Sequence, residues 1–478
     1  MTITTRPPGA APVSSESGWR SAVTARRNLV VPRWWRDAVG ALTWASLLVV
    51  GGLWVADGQV QELAGWASGT SSLGRLTGLV SADLLLIQVL LMARIPMVER
   101  VYGQDELARR HRLVGFTSFT LMILHIVLIE VGYALSARAN FLVEFWDLVV
   151  DYPGMLLALA GTVALVMVAV TSMKRARSRL RYESWHLLHL YAYLGVGLAL
   201  PHQLWTGQEF LSHPYATVYW WSLWIAAAGA IVVWRIGVPV YRTLRHDLRV
   251  SAVVRESPTV VSIWMTGRHL DRLPVAAGQF FTWRFLTGPG WTRGHPYSLS
   301  AAPTGDHLRI TVKDLGDGSR ELAAIRPGTR VAIEGPYGRL HAGARTRRKV
   351  TLLAGGIGIT PLRALLEDLP QAPDDVTLIY RARDENDLIF QDELEQLCTA
   401  RGARLFFALG PRIPGRDSWL PQTAAHLSDA EGLRQLVPDV ARHDVYLCGA
   451  AAWMDAARSA ARAAGVPEEQ IHEERFTW

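Results

Sequence analysis

Four histidines lie in long apolar stretches of the first half of the chain, spaced as two pairs. His111 and His125 are 14 residues apart, and His189 and His202 are 13 residues apart. On an α-helix, 14 residues rise by about 21 Å and complete nearly four turns, so both rings can face one side at two depths. Two imidazoles from each of two helices, at two depths, make up the ligand set of two stacked bis-histidine haems.

The second helix matches this pattern less well, because a spacing of 13 residues leaves its two histidines about 140° apart on a straight helix. Pro201, next to His202, can bend or overwind the last turn and correct the angle. His186 competes with His189, since it lies one turn earlier on a nearby face. A lone membrane histidine more often bridges helices by a hydrogen bond, but four at paired depths favour a functional role.

Two further polar residues accompany these spans. Asp83 interrupts an apolar stretch, and we expect it to pair with an Arg or a His inside the helical bundle. His213 lies in or beside a short outer loop, where it is either a solvated histidine or a contact for an electron acceptor.

Composition divides the 478-residue chain near residue 240. Residues 1–240 hold 33 of the 91 charged residues and 13 of the 19 Trp, and the mean hydropathy of the whole chain is +0.15. Within residues 1–240, long apolar stretches that carry few charged residues are long enough to cross a bilayer. Six spans are predicted: 38–56, 76–93, 113–129, 152–173, 184–208 and 210–234.

The orientation of these spans follows from Lys and Arg, which are retained on the cytoplasmic side during insertion. Of the 19 Lys and Arg in residues 1–240, only Arg75 and Arg138 fall on the outer side. We therefore expect an integral membrane protein of the cell membrane with six spans, both termini cytoplasmic and a disordered basic arm over 1–37. The net charge of +7 then reflects topology and not nucleic-acid binding.

The second half of the chain changes to short alternating runs. Runs 250–254, 260–265 and 308–312 predict a small antiparallel β-barrel. Within this predicted barrel lies a motif of His295, Pro296, Tyr297 and Ser298. Its aromatic and hydroxyl side chains can contact an isoalloxazine ring. Main-chain amides able to approach a pyrophosphate follow at Lys313, Gly316, Gly318 and Ser319, for which a plain hairpin turn is the alternative.

A strand, a glycine-rich turn and a helix follow at 349–369. This order accepts a dinucleotide pyrophosphate on main-chain amides. The turn contains Gly355, Gly356, Gly358, Thr360 and Pro361. Runs 376–380, 404–409 and 444–447 alternate with helical segments, which predicts a doubly wound sheet.

Two arginines follow the first of these three runs. Arg381 and Arg383 can bind a 2′-phosphate, which favours NADPH over NADH; solvated loop charges are the alternative.

The run 181–189 (RYESWHLLH), with His202 after it and His111 and His125 before it, resembles the ferric reductase and NADPH oxidase transmembrane superfamily. In that family the 14- and 13-residue spacings mark the ligands of two b-type haems. The second half resembles the ferredoxin–NADP reductase superfamily, in which His295 in place of the usual Arg is typical of the oxidase and ferric reductase branch. The resemblance covers roughly residues 38–478.

The resemblance also implies catalytic roles near the chain's end. Cys448 and Gly449 would lie against the nicotinamide ring, although the family usually has Pro where Ala450 stands. Phe476, or second to it Trp478, would be the aromatic that covers the flavin face and moves for hydride transfer; a frayed tail is the alternative. Cys398 is expected to be buried in a helix.

These observations predict four segments: an arm (1–37), a six-span haem domain (38–240), an FAD-binding β-barrel (248–345) and an α/β NAD(P)H-binding domain (346–478). Two cysteines are too few for an iron–sulfur cluster. We expect electrons to pass from NADPH through FAD and two b-type haems to ferric chelates or dioxygen outside. The alternative is an electron-transfer subunit that serves a membrane partner protein or a quinone.

Overall fold

The computed structural model describes residues 2–3, 34–180, 182–287 and 293–475. The chain forms two compact units. Of the described residues, one unit contains 34–102 and 106–236, and the other contains 2–3, 103–105 and 237–475. The boundary between the two units, between Ile236 and Gly237, lies close to the change in composition near residue 240.

The first unit is helical. Its long helices follow from apolar runs of 17 residues or more, in which every backbone polar group is satisfied within the helix. The helices are α1 (Trp34–Ala56), α2 (Trp66–Met92), α3 (Pro96–Tyr102), α4 (Gln104–Ala137), α5 (Phe141–Asp151), α6 (Met155–Ser172), α7 (Lys174–Arg177), α8 (Tyr182–Trp205), α9 (Gln208–Leu211) and α10 (Pro214–Ala230). A π-helical segment, Ile231–Gly237, leads from α10 into α11 (Val238–His246).

Five helices in the described part of the chain are long and apolar enough to cross a membrane: Trp34–Ala56, Trp66–Met92, Gln104–Ala137, Met155–Ser172 and Pro214–His246. The fifth predicted span, 184–208, is present as the 24-residue helix α8 but is not among these five. Its histidines and tyrosines lower its mean hydropathy. Six spans therefore stay a prediction.

Helices α6 and α8 approach each other closely at two glycines. A Cβ atom at Gly161 would lie 2.7 Å from the carbonyl oxygen of Gly195, and a Cβ atom at Gly195 would lie 2.8 Å from Cγ of Leu165. Neither position has room for a side chain. Small residues at such contacts let membrane helices pack backbone to backbone.

The second unit contains an antiparallel six-stranded sheet in the order β5-β4-β7-β2-β3-β6. Its strands are β2 (Leu248–Ser257), β3 (Val260–Thr266), β4 (Phe280–Phe285), β5 (His295–Ser298), β6 (His307–Lys313) and β7 (Arg330–Tyr337). A bridge between Leu299 and Ile310 joins the two outer strands, so the sheet curls back on itself. Inward-facing residues such as Ile263 and Trp283 are fully buried in its core.

The same unit contains a second sheet in the order β1-β10-β9-β8-β11-β12. Its strands are β1 (Thr2–Ile3), β8 (Lys349–Gly355), β9 (Val376–Ala382), β10 (Arg404–Leu409), β11 (His443–Cys448) and β12 (Ile471–Glu473). All neighbours are parallel except β1, which pairs antiparallel with β10. Successive residues Leu352 and Leu353 belong to two different hydrophobic clusters, as expected for a sheet covered on both faces.

Helices complete the second unit: α12 (Asp317–Leu322), α13 (Ile359–Asp368), α14 (Gln391–Arg401), α15 (Asp429–Leu436) and α16 (Ala451–Ala463). Buried charges join the two sheets through α13 and α14. Arg309 of β6 lies 3.1 Å from Glu393 of α14, and Arg363 of α13 lies 2.5 Å from the same carboxylate. Both guanidinium groups also donate to the carbonyl oxygen of Ser300.

The close packing of α6 on α8 gives the first prediction. We expect Gly195→Ala to destabilise the folded protein by about 1–3 kcal/mol, because the added methyl group overlaps Leu165. In detergent, the variant should therefore aggregate at a lower temperature than the wild type. The control is Gly197→Ala on the same helix, where a Cβ would meet nothing within 4 Å. Thermal aggregation followed by size-exclusion chromatography measures both, and equal stability of the two variants would contradict this packing.

Candidate functional site

The histidines of the first predicted pair come together across two helices. The ring centroids of His111 on α4 and His189 on α8 are 6.0 Å apart, with 62° between the ring planes. Two imidazoles bound to opposite sides of one metal ion, through bonds of about 2 Å, have centroids about 6 Å apart. The separation therefore fits two imidazoles that could hold one haem iron between them.

Hydrogen bonds at Nδ1 fix both of these rings. Nδ1 of His111 lies 3.4 Å from the carbonyl oxygen of Gln88, and Nδ1 of His189 lies 3.2 Å from Oγ of Ser172. The indole of Trp185 donates to the same Oγ at 3.3 Å. A partner at Nδ1 leaves Nε2 available to a metal. Ser172 and Gln88 therefore orient the two rings, and sequence reasoning missed both.

Helix α8 offers two histidines for the pairing with His111. His189 makes the ring contact with His111, and its ring also lies 5.1 Å from that of Trp185. The ring of His186 lies 6.5 Å from that of Trp185. The ring contact favours His189 over His186.

The second predicted pair lies further along the same two helices. Nδ1 of His125 is 2.8 Å from the carbonyl oxygen of Gly74 on α2, and a Cβ at Gly78 would lie only 2.5 Å from this ring. His202 follows Pro201 in the last turns of α8. Its Nδ1 is buried and has no hydrogen-bond partner among the described residues.

Asp83 does not have the expected partner. It is fully buried on α2 and accepts hydrogen bonds from the Ser46 hydroxyl at 2.7 Å and the Tyr219 hydroxyl at 2.6 Å. The prediction of an Arg or His partner was wrong, since two hydroxyl groups from α1 and α10 meet the carboxylate instead. One carboxylate oxygen, Oδ2, has no partner within the described chain.

The motif predicted to contact a flavin forms strand β5. His295 and Tyr297 lie on the same face with parallel rings, whose centroids are 6.1 Å apart, and Trp283 donates to the carbonyl oxygen of Tyr297 at 2.8 Å. Burial raises the pKa of Tyr297 to about 12, so its hydroxyl stays protonated. Pro296 and Ser298 pair with β4 through the strand register. The side-chain Oγ of Ser298 is buried and has no hydrogen-bond partner in the described ranges.

The predicted pyrophosphate segment adjoins this motif. A Cβ at Gly318 would lie 3.3 Å from the ring of His295. Gly316 precedes the short helix α12, and Ser319 accepts from the amide of Leu315 at 2.8 Å. The segment is therefore a strand-to-helix turn and not a hairpin. Lys313, at the end of β6, lies 3.7 Å from Asp387.

The glycine-rich turn connects β8 to α13. Gly356 has a left-handed φ of +56° and faces open space, which suits a main chain that approaches a ligand. A Cβ at Gly358 would lie 2.1 Å from the carbonyl oxygen of Cys448, so only glycine fits there. Thr360 donates to the carbonyl oxygen of Ile357 at 3.0 Å, and Pro361 is buried in the first turn of α13.

Cys448 ends β11 beside this turn. Gly355 and Gly449 both pack on the indole of Trp453, since a Cβ at either would lie within 2.8 Å of that ring. Glu474 is 7% exposed and accepts from the amide of Arg339 at 2.8 Å. Sequence reasoning missed Trp453 and Glu474, because their contacts depend on how distant segments pack.

The backbone after Cys448 is compatible with Ala450 at the position where the family usually has proline. Ala450 has a φ of −66° before α16. Proline fixes φ close to this value, so alanine adopts the backbone conformation that proline would impose.

The two candidate arginines differ in environment. Arg381 lies inside β9, is 7% exposed and donates to the carbonyl oxygens of Ala382, Ala408 and Pro411. Burial lowers its pKa. The expectation that Arg381 follows the strand was wrong, because β9 continues through it to Ala382. Arg383 is exposed and follows the strand.

The aromatic residues predicted to cover the flavin, Phe476 and Trp478, lie outside the described residues. Within the described residues the chain continues past β12 as far as Arg475. Cys398 is 3% exposed within α14, as expected.

A parallel sheet with a glycine-rich turn, in one unit with the motif on β5, defines a reductase module that binds a flavin and a pyridine nucleotide. Residues 77–200 match the family described as ferric reductase like transmembrane component, and residues 352–459 match the oxidoreductase NAD-binding domain.

Curated relatives match about half of the chain. The ferredoxin reductase component of 3-ketosteroid-9-alpha-monooxygenase from Mycolicibacterium smegmatis is 35% identical over 240 residues, or 48% of this chain and 65% of that protein. Ferredoxin–NADP reductase B from Sorangium cellulosum is 31% identical over 204 residues, or 39% of this chain and 80% of that protein. The chain spans 56–65% of the length of the first three curated relatives.

Among solved structures, the FAD/NAD-binding domain of nitric oxide dioxygenase from Vibrio cholerae is 24% identical, with a TM-score of 0.39 over 48% of this chain and 99% of that one. Residues 77–200 are thus similar to the ferric reductase like transmembrane component, and the second half of the chain belongs to the ferredoxin–NADP reductase family, with a flavin and nicotinamide module of that type.

The buried thiols give a second prediction. Burial raises the pKa of Cys448 to about 12, assisted by the charge of Glu474, and burial alone raises that of Cys398 to about 12. At pH 8 their thiolate fraction is then about a thousandfold below that of a free cysteine. We expect iodoacetamide to label neither residue in the native protein and both after denaturation, as read by mass spectrometry. Cys398→Ser assigns the label, and rapid native labelling of Cys448 would contradict the burial.

Proposed function

We propose that this protein passes electrons from NADPH, through FAD and two b-type haems, to an acceptor on the outer face of the membrane. The observation that carries this proposal is the 6.0 Å separation of the His111 and His189 rings in a helical bundle. The proposed segments are the haem domain at 38–240, the flavin domain at 248–345 and the nicotinamide domain at 346–478.

The donor set supports two haems. His111 with His189, and His125 with His202, supply two imidazoles each, and three of the four rings have a hydrogen-bond partner at Nδ1. Nε2 is then the nitrogen available to iron. Groups of three or more His, Cys, Asp or Glu that could hold a bare metal ion are absent from the described residues. A haem needs only two axial protein ligands, so this absence is compatible with it.

The reductase module supports FAD and a nicotinamide cofactor. The Ser298 hydroxyl, which lacks a protein partner within the described chain, can donate to a flavin ring nitrogen. The main chain at Gly356 and Gly358 binds the nicotinamide cofactor's pyrophosphate, and Cys448, kept as a neutral thiol by its burial, contacts the nicotinamide. Bound FAD supplies the conversion of one hydride into two single electrons, and bound haem carries them one at a time.

The proposed orientation follows the Lys and Arg distribution, with both termini cytoplasmic and the haem of His125 and His202 nearer the outer face of the cell membrane. One NADPH then reduces two one-electron acceptors and yields NADP⁺ and one proton. If His125 and His202 both bound one haem iron, no open coordination position would remain, and the acceptor would have to be one that needs no bond to the iron. Ferric chelates and dioxygen both meet this condition.

A second candidate is delivery of electrons to a membrane partner protein or a quinone. The observation that favours it is the name of the relatives, which are ferredoxin reductase components of a monooxygenase. A stable complex with such a partner, and negligible turnover with small acceptors, would support it.

Haem spectra of ligand variants give the third prediction. We expect the purified protein to show the absorbance of b-type haem. Adding NADPH in the absence of oxygen should change this spectrum to that of the reduced haem. His125→Ala and His202→Ala should each lose about half of this absorbance and retain flavin, because each haem needs both of its ligands. His186→Ala is the control and should keep both haems. Absence of haem absorbance, or no change on adding NADPH, would contradict the proposal.

The exposed arginine at the end of β9 gives the fourth prediction. We expect Arg383→Ala to raise the KM for NADPH about tenfold and to change the KM for NADH less than about twofold, since only NADPH carries the 2′-phosphate. Stopped-flow reduction of the flavin measures both. Arg442→Ala removes an equally exposed charge before β11 and serves as the control. Equal effects on the two nucleotides would contradict this role of Arg383.

A further inference from the structure

Three residues beside His189 form a connected group: Ser172, Trp185 and Arg177. Ser172 ends α6, Arg177 ends the short helix α7, and Trp185 lies on α8, one turn before His189. By the Lys and Arg distribution, this group lies toward the cytoplasmic end of the helical unit. It therefore adjoins the haem site that would receive electrons first.

The hydroxyl oxygen of Ser172 is shared by two N–H groups. Nδ1 of His189 lies 3.2 Å from it, and Nε1 of Trp185 donates to it at 3.3 Å. When Nε2 of His189 binds a metal, Nδ1 carries the proton and donates to Ser172. A hydroxyl oxygen has two lone pairs, so the two donors occupy both. Each donor withdraws electron density from the oxygen, which makes the bond from His189 weaker than it would be without Trp185.

Arg177 strengthens the donor that competes with His189. Its guanidinium carbon lies 4.4 Å from the centre of the Trp185 ring, which is a cation–π contact. A cation over the ring draws electron density from the indole, so the indole N–H becomes a stronger donor to Ser172. The centre of the Trp185 ring is 5.1 Å from that of His189. A positive charge is thus held close to one of the two proposed ligands of the first haem.

Both effects act on a bound haem in the same direction. The hydrogen bond at Nδ1 sets how basic a histidine ligand is, and a less basic ligand stabilises ferric iron less. A nearby cation also disfavours the ferric state, because ferric haem carries one more positive charge than ferrous haem. His111 and His125 have main-chain carbonyl partners at Nδ1, so among these three ligands the side-chain partner belongs to His189.

We propose that Arg177 and Trp185 act through Ser172 and His189 to raise the reduction potential of the haem nearer the cytoplasm. This inference rests on the proposed function, because it concerns the haem that His111 and His189 would hold. The step that it favours moves one electron from bound flavin to the iron, which goes from ferric to ferrous; no bond breaks and no proton moves. Arg177, Trp185 and Ser172 are positioning residues, since they act through a ligand.

A redox titration tests this role without NADPH and without turnover. The full-length protein in detergent is titrated with dithionite and ferricyanide in the presence of mediators, and haem absorbance is followed. The His125→Ala variant is expected to retain only the haem of His111 and His189. In that background the titration gives a single midpoint potential, to which further substitutions are added.

The direction of the shift distinguishes tuning from a general structural role. We expect Trp185→Phe and Arg177→Gln each to change the reduction equilibrium about three- to tenfold toward the ferric form, since a unit charge about 12 Å away has this effect at an effective dielectric of about 20–40. This is a fall of about 30–60 mV for a one-electron couple. Ser172→Ala removes the acceptor of His189 and should raise the potential. Arg175→Gln removes an exposed charge from the same short helix and should change the equilibrium less than about 1.5-fold.

Electron paramagnetic resonance of the oxidised variants reads the ligands directly. The low-spin ferric signal of bis-histidine haem should persist in every variant, and its g values should change most in Ser172→Ala. Loss of this signal in Trp185→Phe and Arg177→Gln would show a structural role and overturn the proposal. Shifts of one sign in all three variants, or no shifts, would overturn it as well.

The outcomes also separate this inference from the proposed function. If the dithionite-reduced wild type shows no haem absorbance, the proposed function fails and the inference fails with it. If haem is present and NADPH reduces it, but the potential does not respond to Trp185→Phe, Arg177→Gln and Ser172→Ala as expected, only the inference fails.

Discussion

A hydrogen bond at one nitrogen of an imidazole fixes the ring and leaves the other nitrogen free to bind a metal. In the helical unit that restraint comes from α2 and α6, through the carbonyl oxygens of Gly74 and Gln88 and the hydroxyl of Ser172. Three of the four histidines on helices α4 and α8 are therefore held by the neighbouring helices α2 and α6. Close packing at glycines brings these helices together, because a side chain there would displace the ring or the facing backbone.

Features set by local chemistry were predictable from sequence. The 14-residue spacing predicted that His111 and His125 share a helix, and both lie on α4. The strand, glycine turn and helix at 349–369 form as predicted, because a buried, mostly apolar run, a left-handed glycine and helix-forming residues act over a few positions. The motif at His295 to Ser298 likewise forms a strand.

Features set by tertiary packing were not predictable. Asp83 finds two hydroxyl groups 37 and 136 residues away, which no spacing rule reveals. The strand that holds Arg381 extends two residues further than its apolar run, since three carbonyl groups satisfy the guanidinium. Glu474 reaches the Cys448 region only because β12 joins the sheet beside β11. Helix α8 is less apolar than a lone span, and its polar residues His189 and Trp185 contact the neighbouring helices α4 and α6.

The charges around Glu393 tie the two sheets of the second unit together. Arg309 belongs to the antiparallel sheet, whereas Arg363 and Glu393 belong to helices of the parallel one. Loss of Glu393 with the sheets still packed would leave the buried guanidinium groups of Arg309 and Arg363 without this carboxylate, which is destabilising because an unpaired buried charge is costly. Gene fusion and recombination are thus expected to move both sheets as one inherited block, and a breakpoint between residues 309 and 363 would be selected against.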